Sequence, residues 1–380
     1  MRLDARVCHE VVLTPRVKQV CGIFDLSGDY KNERSWSCDL PLEERDWKIG
    51  LIVGPSGCGK TTVARALFGD AVLQATDLKW PTDLSVVDAF PSSLSVSEIV
   101  ELLCSVGFSS PPHWLRPYST LSLGEQFRVS LARLLAERRE LTVCDEYTSV
   151  VDRTVARVAS VALAKTVRKL GLRFVACTCH EDVEEWLQPD WVFRPAEMRF
   201  HWRCLQRRPV IHLEVIRCRR EAWELFRQYH YMSGNLHVAA KCFLALWEGR
   251  PVCFSAWLHE HRNYSSAASG GGKNAAKIRE HRTVCLPDYQ GVGIGVSVSS
   301  WCAALFRGAG YKVVSRTSHP AMVASRMNDD RWRFRSRKLT TRYRNSFAVH
   351  FFNYSGVRGV YDFEYVGPSL PMRNARMLLV

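Results

Sequence analysis

A chain of 380 residues, 47% hydrophobic and 24% charged, can bury two or three cores and does not have the composition of a disordered protein. It holds no run of about 18 uncharged apolar residues, and its first residues, MRLDARVCHE, lack an apolar signal core, so a cytoplasmic rather than membrane-spanning or secreted protein is expected. The net charge of +14 is uneven: residues 1–200 hold 24 Lys and Arg against 27 Asp and Glu, whereas residues 201–380 hold 28 against 11.

That asymmetry points to a polyanion partner for the second half, nucleic acid before a membrane surface. The fourteen cysteines lie scattered in apolar runs without zinc spacing, and Cys177-x-Cys179 is a poor ligand pair. They read as reduced core thiols.

In chain order, Val7–Leu13 and Val17–Phe24 read as leading strands, followed by a polar stretch, Ser27–Arg45. Phe24 is either core or an aromatic that stacks on adenine. The apolar run Leu51-Ile52-Val53 then enters Gly54-Pro55-Ser56-Gly57-Cys58-Gly59-Lys60-Thr61-Thr62. This is G-x-x-x-x-G-K-[ST], a phosphate-cradling turn between a buried strand and a helix. Its glycines let backbone N–H groups point inward, and the helix that follows offers its positive end. Lys60 is expected to reach the β- and γ-phosphates of ATP, and the Thr61 hydroxyl to hold Mg²⁺.

A helix is expected over Thr62–Phe68 and another over Ser95–Val106 with Ser97 as N-cap, broken by Pro111-Pro112. Leu121-Ser122-Leu123-Gly124-Glu125-Gln126 opens an amphipathic helix, Phe127–Arg138. An apolar strand, Leu141–Cys144, ends in the carboxylates Asp145 and Glu146. Asp152 follows, and the strand Phe174–Thr178 ends near His180.

This order of motifs resembles the ATP-binding-cassette (ABC) ATPase family over roughly residues 15–195. The loop matches the family's Walker A motif, and Leu121–Gln126 is similar to its L-S-G-G-Q signature. Leu141–Glu146 resembles Walker B with its catalytic glutamate, Ser149–Asp152 the D-loop and His180 the switch histidine. The resemblance implies that Asp145 binds Mg²⁺, Glu146 polarises the attacking water and His180 contacts the γ-phosphate. It also implies that the signature, Ser122 to Gln126, meets the nucleotide of an opposite copy, hence an ATP-bridged homodimer. Three departures stand out. Leu123 replaces a glycine, the segment between Lys60 and Leu121 is short, and Gln74 comes too early for the family's Q-loop glutamine, with Asp88 near the expected place. These weaken any link to a transporter.

A domain boundary is expected in the Pro-containing stretch 186–210. The second half reads β-α-β-β-β-α-β. Ile211–Ile216 is a strand, Arg220–Tyr229 a helix, and Lys241–Trp247 with Pro251–Leu258 a hairpin. Ser265–Gly272 is a loop, and the strand Ile278–Leu286 leads into Gln290-Gly291-Val292-Gly293-Ile294-Gly295 and the helix Val296–Phe306. Strand, Q-x-x-G-x-G, helix resembles the pyrophosphate-binding turn of the GNAT acyltransferase superfamily over residues 210–340, and more distantly the phage Mom-type DNA-modification family. That implies acetyl-CoA, or another acyl-CoA, on Gln290–Gly295. Glu280 and His281 are candidate bases, of which strand alternation places one in the cleft. The family's tyrosine acid is not evident, since Ala321–Asp330 offers Ser325 and Asn328. Tyr229-His230-Tyr231, with Ser233 and Asn235, is a polar cluster that either holds substrate or caps a helix.

Residues 331–344 hold six arginines and one lysine. Alternation would set Arg331, Arg333, Arg335 and Arg337 on one strand face, suited to phosphates, with Trp332 and Phe334 on the other. The expected fold class is α/β: an ABC-type P-loop ATPase domain (1–195), then a GNAT-fold α+β domain (205–345) with a mixed, mostly antiparallel sheet, then a C-terminal extension (346–380). The expected function is an ATPase fused to an acyl-CoA-dependent N-acyltransferase acting on nucleic acid. The alternatives are a protein or small amine as acceptor, or a DNA-binding ATPase whose second half is non-catalytic.

Overall fold

The computed structural model describes residues 1–26, 31–74, 77–137, 139–203, 210–230, 234–260, 276–341 and 357–379. Ser265–Gly272, Tyr231, Ser233 and the basic run Arg342-Tyr343-Arg344 lie outside them. Among these residues the chain begins β1 (Arg2–Glu10), α1 (Pro15–Ile23), β2 (Lys31–Asp39), β3 (Ile49–Val53), α2 (Lys60–Phe68) and β4 (Val72–Gln74). It continues α3 (Val96–Ser105), α4 (Pro111–Trp114), α5 (Leu123–Ala136), β5 (Leu141–Asp145), α6 (Arg153–Leu170), β6 (Arg173–Thr178), α7 (Val183–Leu187), β7 (Trp191–Arg194) and β8 (Arg199–Trp202). The remainder is β9 (Glu214–Cys218), β10 (Lys241–Trp247), β11 (Arg250–Glu260), β12 (Lys277–Cys285), α8 (Ile294–Gly308), β13 (Lys312–Thr317), α9 (Pro320–Met327), β14 (Trp332–Thr341), β15 (Val357–Tyr365) and α10 (Met372–Leu379).

Two compact units form, and their chain segments interleave: 1–79, 138–150 and 164–208 make the first, and 80–137, 151–163 and 209–380 the second. In the first, a six-stranded sheet has the order β4-β5-β6-β3-β7-β8. All its neighbours are parallel except β7 and β8. β3 is buried at every position, as a parallel strand covered on both faces must be. Beside this sheet, β1 and β2 pair as an antiparallel ribbon from Arg2 with Asp39 to Glu10 with Lys31. Leu3, Trp36, Ile52, Val63, Trp191 and Phe193 are among the residues of its core.

The second unit carries a seven-stranded sheet, β14-β15-β13-β12-β11-β10-β9, in which only β12 and β13 run parallel. It is the mixed, mostly antiparallel sheet the pattern implied. Its core is built around α8, with Val298, Cys302, Leu305 and Phe306 against Phe243, Trp257, Ile278 and Val313. β15 lies inside this sheet, between β14 and β13, so residues read from sequence as an extension are structural.

Several local expectations are corrected. Val17–Phe24 is helical: Thr14 caps Val17 N–H at 3.3 Å and Pro15 occupies the first turn, two start signals that outweigh β-branched content. The cap of α3 is Ser95, not Ser97, and it closes a capping box with Glu98. Pro111 begins α4 instead of ending a helix. The expected helix over Arg220–Tyr229 is two 3-10 segments, whose three-residue repeat puts the buried Trp223 and Phe226 on one side. The arginine strand does not alternate cleanly, because Phe334 pairs with Phe363 and Ser336 with Asp362, leaving Arg335 as a bulge.

Candidate functional site

The carboxyl ends of the adjacent strands β3, β6 and β5 bring together the loop 54–59, Thr178–His180 and Asp145-Glu146, where open α/β sheets place ligands. Gly57 (φ 75°) and Gly59 (φ 96°) take left-handed backbone, and Gly59 opens α2 with no side-chain cap, leaving its first N–H groups to a ligand. A Cβ on Gly59 would stand 2.1 Å from the ring of Trp36, so glycine is required twice over. Lys60 Nζ donates to the carbonyls of Gly54 and Pro55, each at 2.9 Å. From β2, Arg34 donates to the Gly57 carbonyl at 2.6 Å.

Thr61 Oγ1 donates to Asp145 Oδ2 at 2.8 Å, and Asp145 is buried. Two hard oxygen donors so placed, beside a glycine-lined cradle, fit a magnesium ion carried by a nucleotide. Gln74, at the end of β4, brings its amide to 3.5 Å from the same carboxylate. Sequence spacing sets Gln74 aside as too early; the short β4 lying against β5 puts it there. Glu146 (φ 53°) and Thr148 (φ 67°) both hold left-handed backbone, which is costly for residues with a Cβ and gathers at functional sites. Ser149 donates to Glu146 Oε2 at 2.6 Å, and Thr148 Oγ1 lies 3.1 Å from His180 Nδ1.

A cleft of about 310 Å³ is lined by Ser56, Gly57, Gly59, Lys60, Thr61, Thr62 and Glu146, with Val7, Arg34 and Trp36 from the ribbon. Phe24 is not among them: it caps the end of α1, is 68% exposed, and is neither core nor lining. The aromatic at the cleft is Trp36. A polar stretch with one tryptophan carries no signal for this, because ribbon register puts Trp36 there.

The signature residues belong to the second unit. Ser122 caps α5, accepting from Glu125 N–H at 3.3 Å while Glu125 Oε2 accepts from Ser122 N–H at 3.0 Å. Glu125 Oε1 sits 2.5 Å from His113 Nδ1. Burial pushes the Glu125 carboxyl up, but His113 and the Ser122 bonds prevail and hold it below its ordinary value. Gln126 turns inward to the carbonyls of Leu121 (3.0 Å) and Tyr118 (3.3 Å), while Leu123 is exposed. Asp152 Oδ1 accepts from the N–H groups of Thr154 (2.8 Å) and Val155 (3.0 Å), capping α6.

The two candidate bases of β12 separate. Glu280 is buried and held by Arg326 Nη2 (2.5 Å), Ser315 Oγ (2.5 Å) and Thr283 Oγ1 (2.5 Å). Burial raises its carboxyl, yet the Arg326 charge and the hydroxyl bonds bring it below the ordinary value, so it is a fixed structural anion and not a base. His281 is the bulged residue, since Ala256 pairs with Arg282 and Trp257 with Glu280. Its Nε2 is buried without a hydrogen-bond partner among the described residues. Burial, then the charges of Arg282 and Arg279, lower its pKa to about 4, which keeps the imidazole neutral.

The turn 290–295 is used unequally. Gln290 Oε1 accepts from Ser109 N–H at 2.8 Å, and a Cβ on Gly291 would stand 2.7 Å from Gly107 Cα. Gln290, Gly291 and the neighbouring Val292 are therefore packing residues. Gly293 (φ 91°) caps α8 with open space around it, followed by Ile294 and Gly295. Of the four arginines, Arg331 is bonded to Asp329 (2.8 Å) and Arg335 to Glu364 (3.1 Å). Arg337 lies 5.5 Å from the Tyr361 ring, and Arg333 is exposed. The row of four is thus half-neutralised within the chain. No metal-type cluster of His, Cys, Asp or Glu occurs among the described residues.

No family model matches the chain. Among known proteins it is similar to the methionine import ATP-binding protein MetN of Xanthomonas euvesicatoria, 40% identical over 198 residues, covering 40% of this chain and 58% of that one. It is also similar to the hemin import ATP-binding protein HmuV of Rhodococcus jostii, 28% identical over 165 residues, covering 32% of this chain and 55% of the other. The chain spans about half the length of the curated relatives it matches. Among solved structures, a dimeric, post-hydrolysis state of the ATP-binding cassette MJ0796 bound to ADP and Pi is 15% identical with a TM-score of 0.38, covering 53% of this chain and 98% of that one. Motif order, cradle geometry and sequence relatives agree that the chain carries an ABC-type, P-loop nucleotide-binding domain. Among the described residues no helix is long and apolar enough to cross a membrane.

Proposed function

We propose that the chain binds ATP with magnesium at the Gly54–Thr62 loop and hydrolyses it as an ATP-bridged homodimer. The observation that carries this is the meeting of Lys60, Thr61 and Glu146 around one cleft, with the buried Asp145 bonded to Thr61. The loop N–H groups and Lys60 bind the phosphates, and Thr61 and Asp145 would hold a magnesium ion, which would supply charge neutralisation to the phosphates. Glu146 orients and polarises the attacking water, with Ser149 fixing its second oxygen. His180, whose Nδ1 lies 3.1 Å from Thr148 Oγ1, is assigned the contact to the γ-phosphate. Ser122–Gln126 of one copy completes the cleft of the other. Glu146→Gln is expected to dimerise with ATP but not ADP by light scattering, and Lys60→Ala to stay monomeric. Identical behaviour of both variants with and without ATP would remove the model of closure.

A second activity, acyl-CoA-dependent N-acyl transfer in the second unit, is supported by the strand-turn-helix of β12 and α8, where Gly293 takes left-handed backbone with open space around it. The pyrophosphate is assigned to Gly293–Gly295 and the N-terminal end of α8. The charge of residues 201–380 supports nucleic acid as the acceptor. Acetyl-CoA is expected to give calorimetric heat with wild-type protein and none with Gly293→Asp. Silence in the wild type would eliminate this activity.

A further inference from the structure

The signature helix α5 carries a buried cation with no carboxylate bonded to it among the described residues. Arg128 is 1% exposed and stands one turn beyond Glu125. Its Nη1 donates to the carbonyls of Gly107 (2.8 Å) and Pro287, and its Nη2 to the carbonyl of Asp288 (2.7 Å). Burial lowers its pKa to about 10, opposed by Asp288, Glu125 and Asp152. A guanidinium buried against three carbonyls is an arrangement that fixes geometry, since its rigid fork meets fixed backbone oxygens.

The partner segment is equally committed. Gln290 holds Ser109 N–H with its oxygen and donates from its nitrogen to the Cys285 carbonyl at 2.9 Å. Gly107 and Gly291, both left-handed, meet so closely that a Cβ on Gly107 would stand 2.5 Å from the Gln290 carbonyl oxygen. The Asp288 carboxylate lies against the signature itself: a Cβ on Gly124 would be 3.6 Å from Asp288 Oδ1, with Val155 at 3.2 Å on another side.

We propose that residues 287–291 are a brace that positions the signature turn, holding Arg128 through two carbonyls and setting the Asp288 carboxylate beside Gly124. Arg128 and Gln290 are then positioning residues for ATP hydrolysis, supplied partly by a segment whose motif resembles that of another activity. The inference rests on the reading that Ser122–Gln126 completes the cleft of a second copy.

The test uses the full chain and two readouts. In nucleotide-free protein, amide hydrogen exchange over 121–127 is expected to rise about tenfold or more in Arg128→Met and less in Gln290→Ala. In steady-state hydrolysis, kcat is expected to fall about tenfold for Arg128→Met, with KM for ATP within about twofold because Lys60 and Thr61 are untouched. Arg128→Lys should recover part of the loss. Asp288→Asn, which removes a negative charge near Glu125, Asp152 and Arg128, should tighten the ATP-dependent dimer of Glu146→Gln by about threefold at low salt. Unchanged exchange over 121–127 in Arg128→Met and Gln290→Ala overturns the brace, whether or not ATP is hydrolysed. If Arg128→Met does not fold, Gln290→Ala decides alone. A wild-type chain without ATPase activity counts against the proposed function, not against the brace.

Discussion

Single residues here are chosen by what crowds them. Gly50 has an ordinary strand backbone, but a Cβ on it would lie 2.1 Å from the ring of Trp191, a side chain buried among Trp47, Phe68 and Phe200. The indole cannot swing away, so Gly50→Ala is expected to lower unfolding free energy by about 1–3 kcal/mol in urea titrations. His281 is conspicuous for a different reason: its folded pKa is depressed to about 4 from an ordinary 6.5. The unfolded chain takes up that proton near pH 6.5 and the folded chain does not, so stability is full above 6.5 and drains as the pH falls toward 4. His319 and His201 shift in the same direction. The thermal midpoint of His281→Asn should therefore fall less steeply between pH 6.5 and 4.5 than that of the wild type, and a parallel fall would refute the assignment.

At the scale of elements, β14 shows how pairing rewrites a periodic pattern. Regular alternation would line up four arginines, but the bulge at Arg335 and the neighbouring β15 supply Glu364 as a partner. Of these four, Arg333 and Arg337 have no carboxylate partner among the described residues. Replacing both by Ser should flatten the slope of log K against log salt for DNA or RNA by about one to two units. The same change at Arg331 and Arg335 should do less, since those charges are already half-spent; equal effects would show that the internal pairs open on binding. The helix caps behave more simply. Ser95 with Glu98 and Ser122 with Glu125 are S-x-x-E capping boxes in the sequence and form as such.

At the scale of the molecule, the two units divide the nucleotide-binding motifs between them. Lys60, Asp145, Glu146 and His180 lie in the first, and Ser122–Gln126 and Asp152 in the second. The segment 80–137 clusters with the basic half through Arg128, Gln290 and the bond from His319 to the Ser109 carbonyl (2.9 Å). A linear boundary near residue 200 therefore does not separate the compact bodies. Glu280 with Arg326 anchors the basic half internally, so two of its charges serve the core and not a partner.

The phosphate cradle was legible from the sequence because its chemistry is contiguous. Glycines, Lys60 and Thr61 occupy one loop, and the apolar strand before Asp145 announces where that carboxylate must emerge. The mixed sheet of the second half was legible too, since hairpin and strand-turn-helix patterns are local. What the tertiary structure alone decided are contacts between segments far apart in the chain: Trp36 at Gly59, Gln74 at Asp145, Arg326 on Glu280, and Gly107 against Gly291. Spacing along a chain carries no record of which surfaces will be pressed together. The burial of a charge such as Arg128, and the loop that must receive it, therefore exist only once the fold has closed.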